Sequence, residues 1–199
     1  MEKITRENWL NEAIHLINAD IFMAHGKGIA DNVRVSCGFP GGGSARTRIG
    51  ECWNPDSSED NVTEMFISPL LAAAVGNASE AGVLDTLVHE MVHAIVGTEC
   101  GHKGAFKHLA RAVGLEGKLT ATHAGDELSA TLDAINSTLI ERWGAYPHAP
   151  LKVNKRKKGS RLIKVTCDGC DNIARQSRTA YETFGLRCDY CNVRMNAAE

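Results

Sequence analysis

The sequence predicts an α+β protein in two parts: helices with a small antiparallel sheet, followed by a short C-terminal module built on four cysteines. Three observations support this prediction. Segments with helical periodicity alternate with short strand-like segments, the composition changes between residues 146 and 160, and two Cys-x-x-Cys units follow. With 199 residues, the chain is long enough for one medium-sized domain with its own core and one small module.

The first part of the chain is predicted to contain one helix and then three strands. Residues 6–23 carry apolar side chains at helical spacing, and Thr5 occupies the expected N-cap position. Short strands are predicted at residues 33–37, 48–53 and 63–68. The glycine-rich stretch between the first two strands predicts a hairpin tip, with Arg46 and Arg48 available to contact substrate or DNA.

Three further helices are predicted before the composition changes. Helical periodicity is found at residues 79–96, 103–113 and 127–143. Prolines and a run of lysines then replace the apolar pattern. We therefore expect a domain over residues 1–148, a basic linker over 149–160 and a small module over 161–199.

The formal net charge of −2 hides two oppositely charged parts. Residues 1–149 carry 11 Lys and Arg against 19 Asp and Glu, whereas residues 150–199 carry 11 against 5. A basic tail on an acidic body predicts an anionic partner, and we expect DNA, although a solvated linker is the alternative. The candidate nucleic-acid contacts are Lys155, Arg156, Lys157, Lys158 and Arg161, with Tyr181, Phe184 and Tyr190 as possible stacking surfaces.

The segment His89-Glu90-Met91-Val92-His93 carries the clearest chemical pattern in the chain. On a helix, His89 and His93 lie one turn apart on one face, so both imidazoles can reach one metal ion. Glu90 lies beside them and can take a proton from water without being a ligand. The pattern is typical of zinc peptidases and predicts a catalytic zinc with Glu90 as the base. The alternative is a buried helix whose histidines only form hydrogen bonds.

A catalytic zinc site needs a third protein ligand, and His102 is the strongest candidate. It follows His93 by nine residues, beyond Gly97 and at the start of the next predicted helix, so the chain can turn and bring it back. The other candidates are Glu99, His108, His123, Asp126 and Glu127. Cys52 would be the third ligand if the chain were a peptide deformylase, which combines the same pattern with an upstream cysteine.

Cys167, Cys170, Cys188 and Cys191 form two Cys-x-x-Cys units separated by seventeen residues. Each unit offers two thiolates to one ion, and two units complete a tetrahedral site with no open position. We therefore expect a second, structural zinc that stabilises a module too small for a robust core. Two disulfides or two redox-active pairs are the alternative.

The beginning of the chain and its apolar runs give no indication of a membrane. The first seven residues are polar, without the apolar stretch of a secretory signal, and the longest apolar run, residues 69–75, is too short to span a bilayer. We therefore expect a cytoplasmic location, where thiols stay reduced.

Residues 89–94 and 101–106 together resemble the SprT-like/Spartan family of zinc metallopeptidases. In that family a HExxH helix is followed by a third histidine in a Gly-His-Gly-x-x-Phe segment, which here reads Gly101-His102-Lys103-Gly104-Ala105-Phe106. Lys103 departs from that pattern. Residues 66–71 resemble the strand and turn before the family's motif helix, and the four cysteines resemble the zinc ribbon of bacterial and phage members.

The resemblance implies a zincin-like fold, one catalytic and one structural zinc, and cleavage of proteins associated with DNA. We expect residues 63–68 to pair with an extended substrate by strand addition. The alternative from another functional class is a nucleic-acid-binding or transcription-associated factor in which the peptidase scaffold has negligible activity.

Overall fold

The computed structural model describes residues 4–39, 41, 48–71, 73–77, 81–147 and 162–197. The chain divides into two compact units, Met1–Val153 and Asn154–Glu199. In the described part, no helix combines the length and apolar character needed to cross a membrane. Some predicted contact residues lie outside the described residues: Arg46, Lys155, Arg156, Lys157, Lys158 and Arg161.

The described part of the first unit contains four α-helices and five strands, which confirms the predicted mixture of helices and small sheets. The helices are α1 (Arg6–Ile17), α2 (Val83–Val96), α3 (Gly104–Ala112) and α4 (Asp126–Trp143). The strands are β1 (Val33–Cys37), β2 (Gly50–Trp53), β3 (Thr63–Ile67), β4 (Leu115–Lys118) and β5 (Ala121–Ala124).

The first helix begins where the sequence predicts. The Thr5 side chain accepts a hydrogen bond from the Asn8 backbone amide at 3.1 Å, which satisfies one of the free amides of the first turn. The helix continues as a π-helical turn over Asn18–Phe22 and a 3₁₀ turn over Met23–His25. Gly26 then ends it with a left-handed backbone, at φ 64°.

The three-stranded sheet differs from the predicted arrangement in its strand order. β3 lies in the centre, parallel to β1 and antiparallel to β2, so the sheet is mixed and β1 does not form a hairpin with β2. The physical reason is burial, because Thr63, Met65 and Ile67 of β3 all face the core and a central position covers them best. The expectation that residues 63–68 pair with substrate is therefore wrong, since strands occupy both edges of β3.

The core of the first unit is centred on α2, which packs against the sheet, α1, α3, α4 and β5. Ten of its 14 residues are buried, as expected for a helix that is apolar on almost every side. α1 contributes a buried stripe headed by Trp9, whose indole Nε1 donates to the Gly144 carbonyl at 3.1 Å. Burying such large side chains supplies about 1.5–3 kcal/mol each. The helix that carries His89 and His93 is thus packed on several sides by the core.

The hairpin of β4 and β5 is an element that the sequence analysis did not anticipate. Its strands pair antiparallel in a separate two-stranded sheet. Its residues are largely polar and include Gly117, so they lack a strand-like apolar alternation. The hairpin matters because β5 lies against α2 and carries Thr122 to the histidine site.

The second unit is a small antiparallel sheet with one short helix. Its described elements are β6 (Leu162–Thr166), β7 (Ile173–Ser177), α5 (Arg178–Phe184) and β8 (Asn196–Ala197), with β6 between β7 and β8. The buried core consists of Val165, Cys167, Cys188 and Met195. Two of these four side chains are cysteines, so little apolar surface is available to stabilise the unit by itself.

Candidate metal centres

The structure brings His89, His93 and His102 together. α2 places the first two on one face, and the chain then turns through Gly97 and Gly101, whose φ angles of 83° and 52° favour glycine. His102 returns with its Nε2 atom 3.2 Å from Nε2 of His89 and 3.3 Å from Nε2 of His93. The three ligand atoms all lie within 4.8 Å of one another.

The donor chemistry of this histidine group fits a metal ion. His89 Nδ1 lies 2.8 Å from Thr122 Oγ1, which can accept a hydrogen bond from the Nδ1–H group and leave the His89 Nε2 lone pair facing inward. His102 Nε2 can donate at most one proton, so it cannot satisfy both facing nitrogens. A cation bound among the three Nε2 atoms would satisfy all three lone pairs, and imidazole is a ligand that suits zinc.

Burial keeps the three imidazoles neutral. It lowers the pKa of His89 to about 3 and that of His93 to about 4, from an ordinary value of 6.5, and it lowers the pKa of His102 as well. The buried ring of Phe106 packs on all three, with centroid distances of 5.0, 4.2 and 4.9 Å to His89, His93 and His102. Neutral imidazole is the form that binds metals.

Glu90 packs against β2, the strand that lines the cavity beside the histidines. Its side chain is buried, and burial raises the pKa of its carboxyl to about 8, with Glu51 raising it further and Arg48 opposing that rise. Gly50 of β2 approaches it so closely that a Cβ atom added there would lie 2.3 Å from Glu90 Oε1. A glycine at this position is therefore what allows β2 to pack on the Glu90 carboxyl.

Two positions important to this site were missed from the sequence. Thr122 faces His89, as described above. Asp85, buried at 1% exposure, accepts hydrogen bonds from the Gly76 amide at 2.8 Å and the Ala124 amide at 3.2 Å, and so ties α2 to the preceding loop and to β5. Asp85 could have been identified from the sequence, because it is a charged residue among the apolar first turns of α2. No feature of the neighbouring sequence identifies Thr122 as a residue of the site.

A cavity of about 610 Å³ opens beside the histidines and Glu90, and its wall includes Arg48, Cys52 and Thr98. The other candidate third ligands do not belong to the histidine group. Glu99 accepts a hydrogen bond from Asn54, and the His123 ring lies over Gly117. The residues that remain exposed are His108, Asp126 and Glu127. Cys52 lies in the cavity wall outside the group, and burial raises the pKa of its thiol to about 12.

The substitution at Lys103 is compatible with the turn that carries His102. Lys103 has an extended backbone, with φ −124° and ψ 178°, which any residue can adopt. The left-handed positions fall instead on Gly101 and Gly104, at φ 52° and 50°. The turn therefore has glycine where its geometry requires glycine.

The second candidate centre consists of Cys167, Cys170, Cys188 and Cys191. Their sulfur atoms lie within 4.8 Å of one another, and Cys170 Sγ is 3.6 Å from Cys188 Sγ. All four are free thiols rather than disulfide partners. The backbone amide of Cys191 faces the Cys188 sulfur and lowers the pKa of that thiol to about 7, whereas the hydrogen bond with Cys170 raises the pKa of the Cys191 thiol to about 12.

The two Cys-x-x-Cys units have the same backbone geometry. In the first, the Asp171 amide donates to the Cys167 carbonyl at 2.8 Å, and in the second, the Asn192 amide donates to the Cys188 carbonyl at 2.7 Å. Asp171 and Asn192 both have φ 55°, a left-handed conformation that Asn and Asp tolerate. Each unit therefore points two sulfurs at one position, which suits a tetrahedral thiolate site.

The surfaces predicted to contact nucleic acid are only partly described. Phe184 and Tyr190 are 84% and 89% exposed, whereas Tyr181 is half-buried and donates to the Met195 carbonyl at 2.8 Å. Tyr181 is therefore part of the small core rather than a stacking surface. No family model, curated protein or solved structure matches this chain.

Proposed function

We propose that the protein is a zinc-dependent endopeptidase, with one catalytic zinc held by His89, His93 and His102 and one structural zinc held by the four cysteines. The observation that carries this proposal is the position of Glu90, a buried carboxyl beside three convergent imidazoles at the wall of an open cavity. A structural site has no need of that cavity or of an acidic side chain that is not a ligand.

The residues around the cavity have different roles in the proposed peptide hydrolysis. Zinc, when bound, supplies a Lewis acid that makes water a nucleophile near neutral pH. Glu90 would act as the base that takes a proton from the attacking water and passes it to the leaving nitrogen, because its carboxyl lies at the cavity wall beside the three histidines. Thr122 holds His89 in one orientation, and Phe106 excludes water from the back of the histidines.

An extended peptide is the substrate that the shape of the site favours. β2 borders the cavity through Gly50, Glu51 and Cys52, and among the described residues it pairs only with β3. Its other edge can therefore form backbone hydrogen bonds with a substrate strand, a common way for proteins to hold peptides. We assign to β2 the role that the sequence analysis gave to residues 63–68.

We further propose that the substrates are proteins associated with DNA. Residues 150–161 carry six Lys and Arg without Asp or Glu, a charge run that favours phosphate contacts. The described residues of the second unit carry five Lys and Arg against four Asp and Glu, so their contribution is stacking on Phe184 and Tyr190 rather than net charge.

Cleavage of a DNA-binding protein, assayed with and without DNA, tests both parts of this proposal. We expect zinc-loaded wild type to cleave and Glu90→Gln to lose cleavage by at least about 100-fold while keeping two zinc ions. DNA should increase cleavage, and the increase should diminish as salt rises. Salt-sensitive DNA binding without Glu90-dependent cleavage would instead favour the nucleic-acid-binding factor with an inactive scaffold.

A further inference from the structure

Arg48 lies in the same cavity as the proposed catalytic groups. It precedes β2 by two residues and lines the cavity together with Glu90, His89 and His93. Its side chain is 52% exposed, so part of the guanidinium faces open space. From the sequence, Arg48 is predicted only as a possible contact at a hairpin tip, and the proposed roles of Glu90, Thr122 and Phe106 do not involve it.

Glu51 holds the Arg48 guanidinium in place. Its carboxylate is 12% exposed and accepts from Arg48 Nη1, while its other oxygen accepts from the Gly41 amide at 2.6 Å. A guanidinium carries five N–H donors, and this pair occupies few of them. The remaining donors are available to a ligand in the cavity, on a group that is charged at every physiological pH.

The chemistry of peptide hydrolysis is favoured by such a donor. The carbonyl oxygen gains negative charge when water attacks, and hydrogen-bond donors directed at that oxygen lower the barrier. Arg48 is the one lysine or arginine among the described residues that line the cavity. Two of the threonine hydroxyls there are already engaged, Thr86 with the Gly82 carbonyl and Thr122 with His89.

We propose that Arg48 is a catalytic residue that binds the carbonyl oxygen of the bond being cleaved. The inference rests on the proposed peptidase function and adds a group to it. As the water oxygen bonds to the carbonyl carbon, the C=O electron pair moves onto the oxygen, which accepts hydrogen bonds from Arg48. That pair re-forms the C=O bond when the C–N bond breaks, and the nitrogen takes the proton from Glu90. Arg48 keeps its own protons throughout.

The first test compares zinc-loaded wild type, Arg48→Ala and Arg48→Lys on two fluorogenic peptides that differ only in Glu or Gln next to the cleaved bond. We expect Arg48→Ala to lower kcat about 100-fold with KM within about threefold on both peptides. Arg48→Lys, which keeps the charge but loses the fork of donors, should have an intermediate kcat. Added guanidinium ion should restore part of the kcat of Arg48→Ala and none of that of Glu90→Gln.

The second test measures binding rather than turnover. A phosphinic peptide has a tetrahedral phosphorus in place of the carbonyl carbon, with two oxygens that share one negative charge, and so resembles the transition state. By calorimetry, Arg48→Ala should bind the phosphinic peptide about 100-fold more weakly than wild type does. Binding of the matching amide peptide is compared between Glu90→Gln and Glu90→Gln/Arg48→Ala, so that the peptide is not cleaved. That affinity should change less than about threefold. Zinc content and melting temperature serve as controls, and Arg48→Lys replaces the alanine variant in both tests if that variant does not fold.

Three results would overturn the inference while leaving the peptidase function intact. One is wild-type kcat in Arg48→Ala, the second is a loss confined to KM or to the Glu peptide, and the third is equal weakening of phosphinic and amide peptides. A zinc-loaded wild type that shows no more activity than Glu90→Gln would overturn both proposals.

Discussion

At the scale of single residues, the orientation of the His89 imidazole depends on Thr122, a residue 33 positions away in sequence. Thr122 Oγ1 lies 2.8 Å from the His89 Nδ1 atom, and accepting a hydrogen bond from Nδ1–H would hold the tautomer whose Nε2 lone pair faces His93 and His102. Groups that orient a ligand in this way commonly contribute ten- to a hundredfold to metal affinity, as an order of magnitude. The buried Nδ1 atom of His93 has no such partner among the described residues.

We predict that Thr122→Val weakens zinc binding at the histidine site by about ten- to a hundredfold, because it removes this acceptor and keeps the side-chain shape. Competition with a chromophoric chelator measures the change. Thr120→Val, a change of the same type at an exposed position on the same cavity, is the matched control and should leave affinity unaltered. Equal affinities for wild type and Thr122→Val would show that Thr122 does not orient His89.

The lowered pKa values of the histidines also predict that the free energy of unfolding of the metal-free protein depends on pH. His89 and His93 titrate near pH 3 and 4 when folded and near 6.5 when unfolded. Between these values the unfolded state binds protons that the folded state does not, so the free energy of unfolding falls as pH falls from 6.5 towards 4. Urea titrations of chelator-treated protein at pH 7.5 and 5 measure this loss. The loss should be smaller in His89→Gln/His93→Gln, and an equal loss in that variant would argue against the histidines as its source.

At the scale of elements, the contact of β2 with α2 depends on Gly50, because any side chain at that position would collide with α2. We predict that Gly50→Ala lowers the proposed peptidase activity at least about tenfold, because the new Cβ atom would meet Glu90 Oε1 and displace that carboxyl. Zinc content should stay the same. Gly38→Ala is the matched control, since its Cβ atom would meet Phe66 at an ordinary 3.6 Å. Full activity in Gly50→Ala would mean that Glu90 does not need its observed position.

Asp85 joins α2 to two neighbouring segments, and its loss should destabilise the first unit. Asp85→Ala leaves the Gly76 and Ala124 amides without their acceptor, so we predict a fall in the free energy of unfolding of about 3 kcal/mol. Chemical denaturation followed by tryptophan fluorescence measures it. Asp133→Ala, at an exposed position of α4, should change stability by less than about 0.5 kcal/mol. Similar values for the two variants would contradict the structural role of Asp85.

At the scale of the whole molecule, the described residues include two separate groups that could hold a metal ion, one in each compact unit. We predict two zinc ions per chain by elemental analysis, one lost in His89→Ala and the other in Cys167→Ser. Cys167→Ser should also unfold the second unit, because its four buried core residues include two of the ligands. A single zinc in the wild type would contradict one of the two sites.

Much of this protein follows from its sequence, because much of it is local. The spacing of His89 and His93 and the two Cys-x-x-Cys units each place ligands within one turn of backbone, so residue order alone specifies two groups of potential ligands. The helices are similarly local, and α2 ends at Val96, where Gly97 predicts its end. These features need no knowledge of how distant segments pack.

Other features were decided only by tertiary structure. The choice of His102 among seven candidate third ligands, the contact of Thr122 with His89 and the position of Gly50 against Glu90 join residues 13, 33 and 40 positions apart. Tertiary structure likewise places β3 in the centre of the sheet, so the proposed substrate-binding strand is β2 rather than residues 63–68. Contacts over such separations depend on how whole elements bury their apolar faces together, and local sequence patterns do not specify that packing.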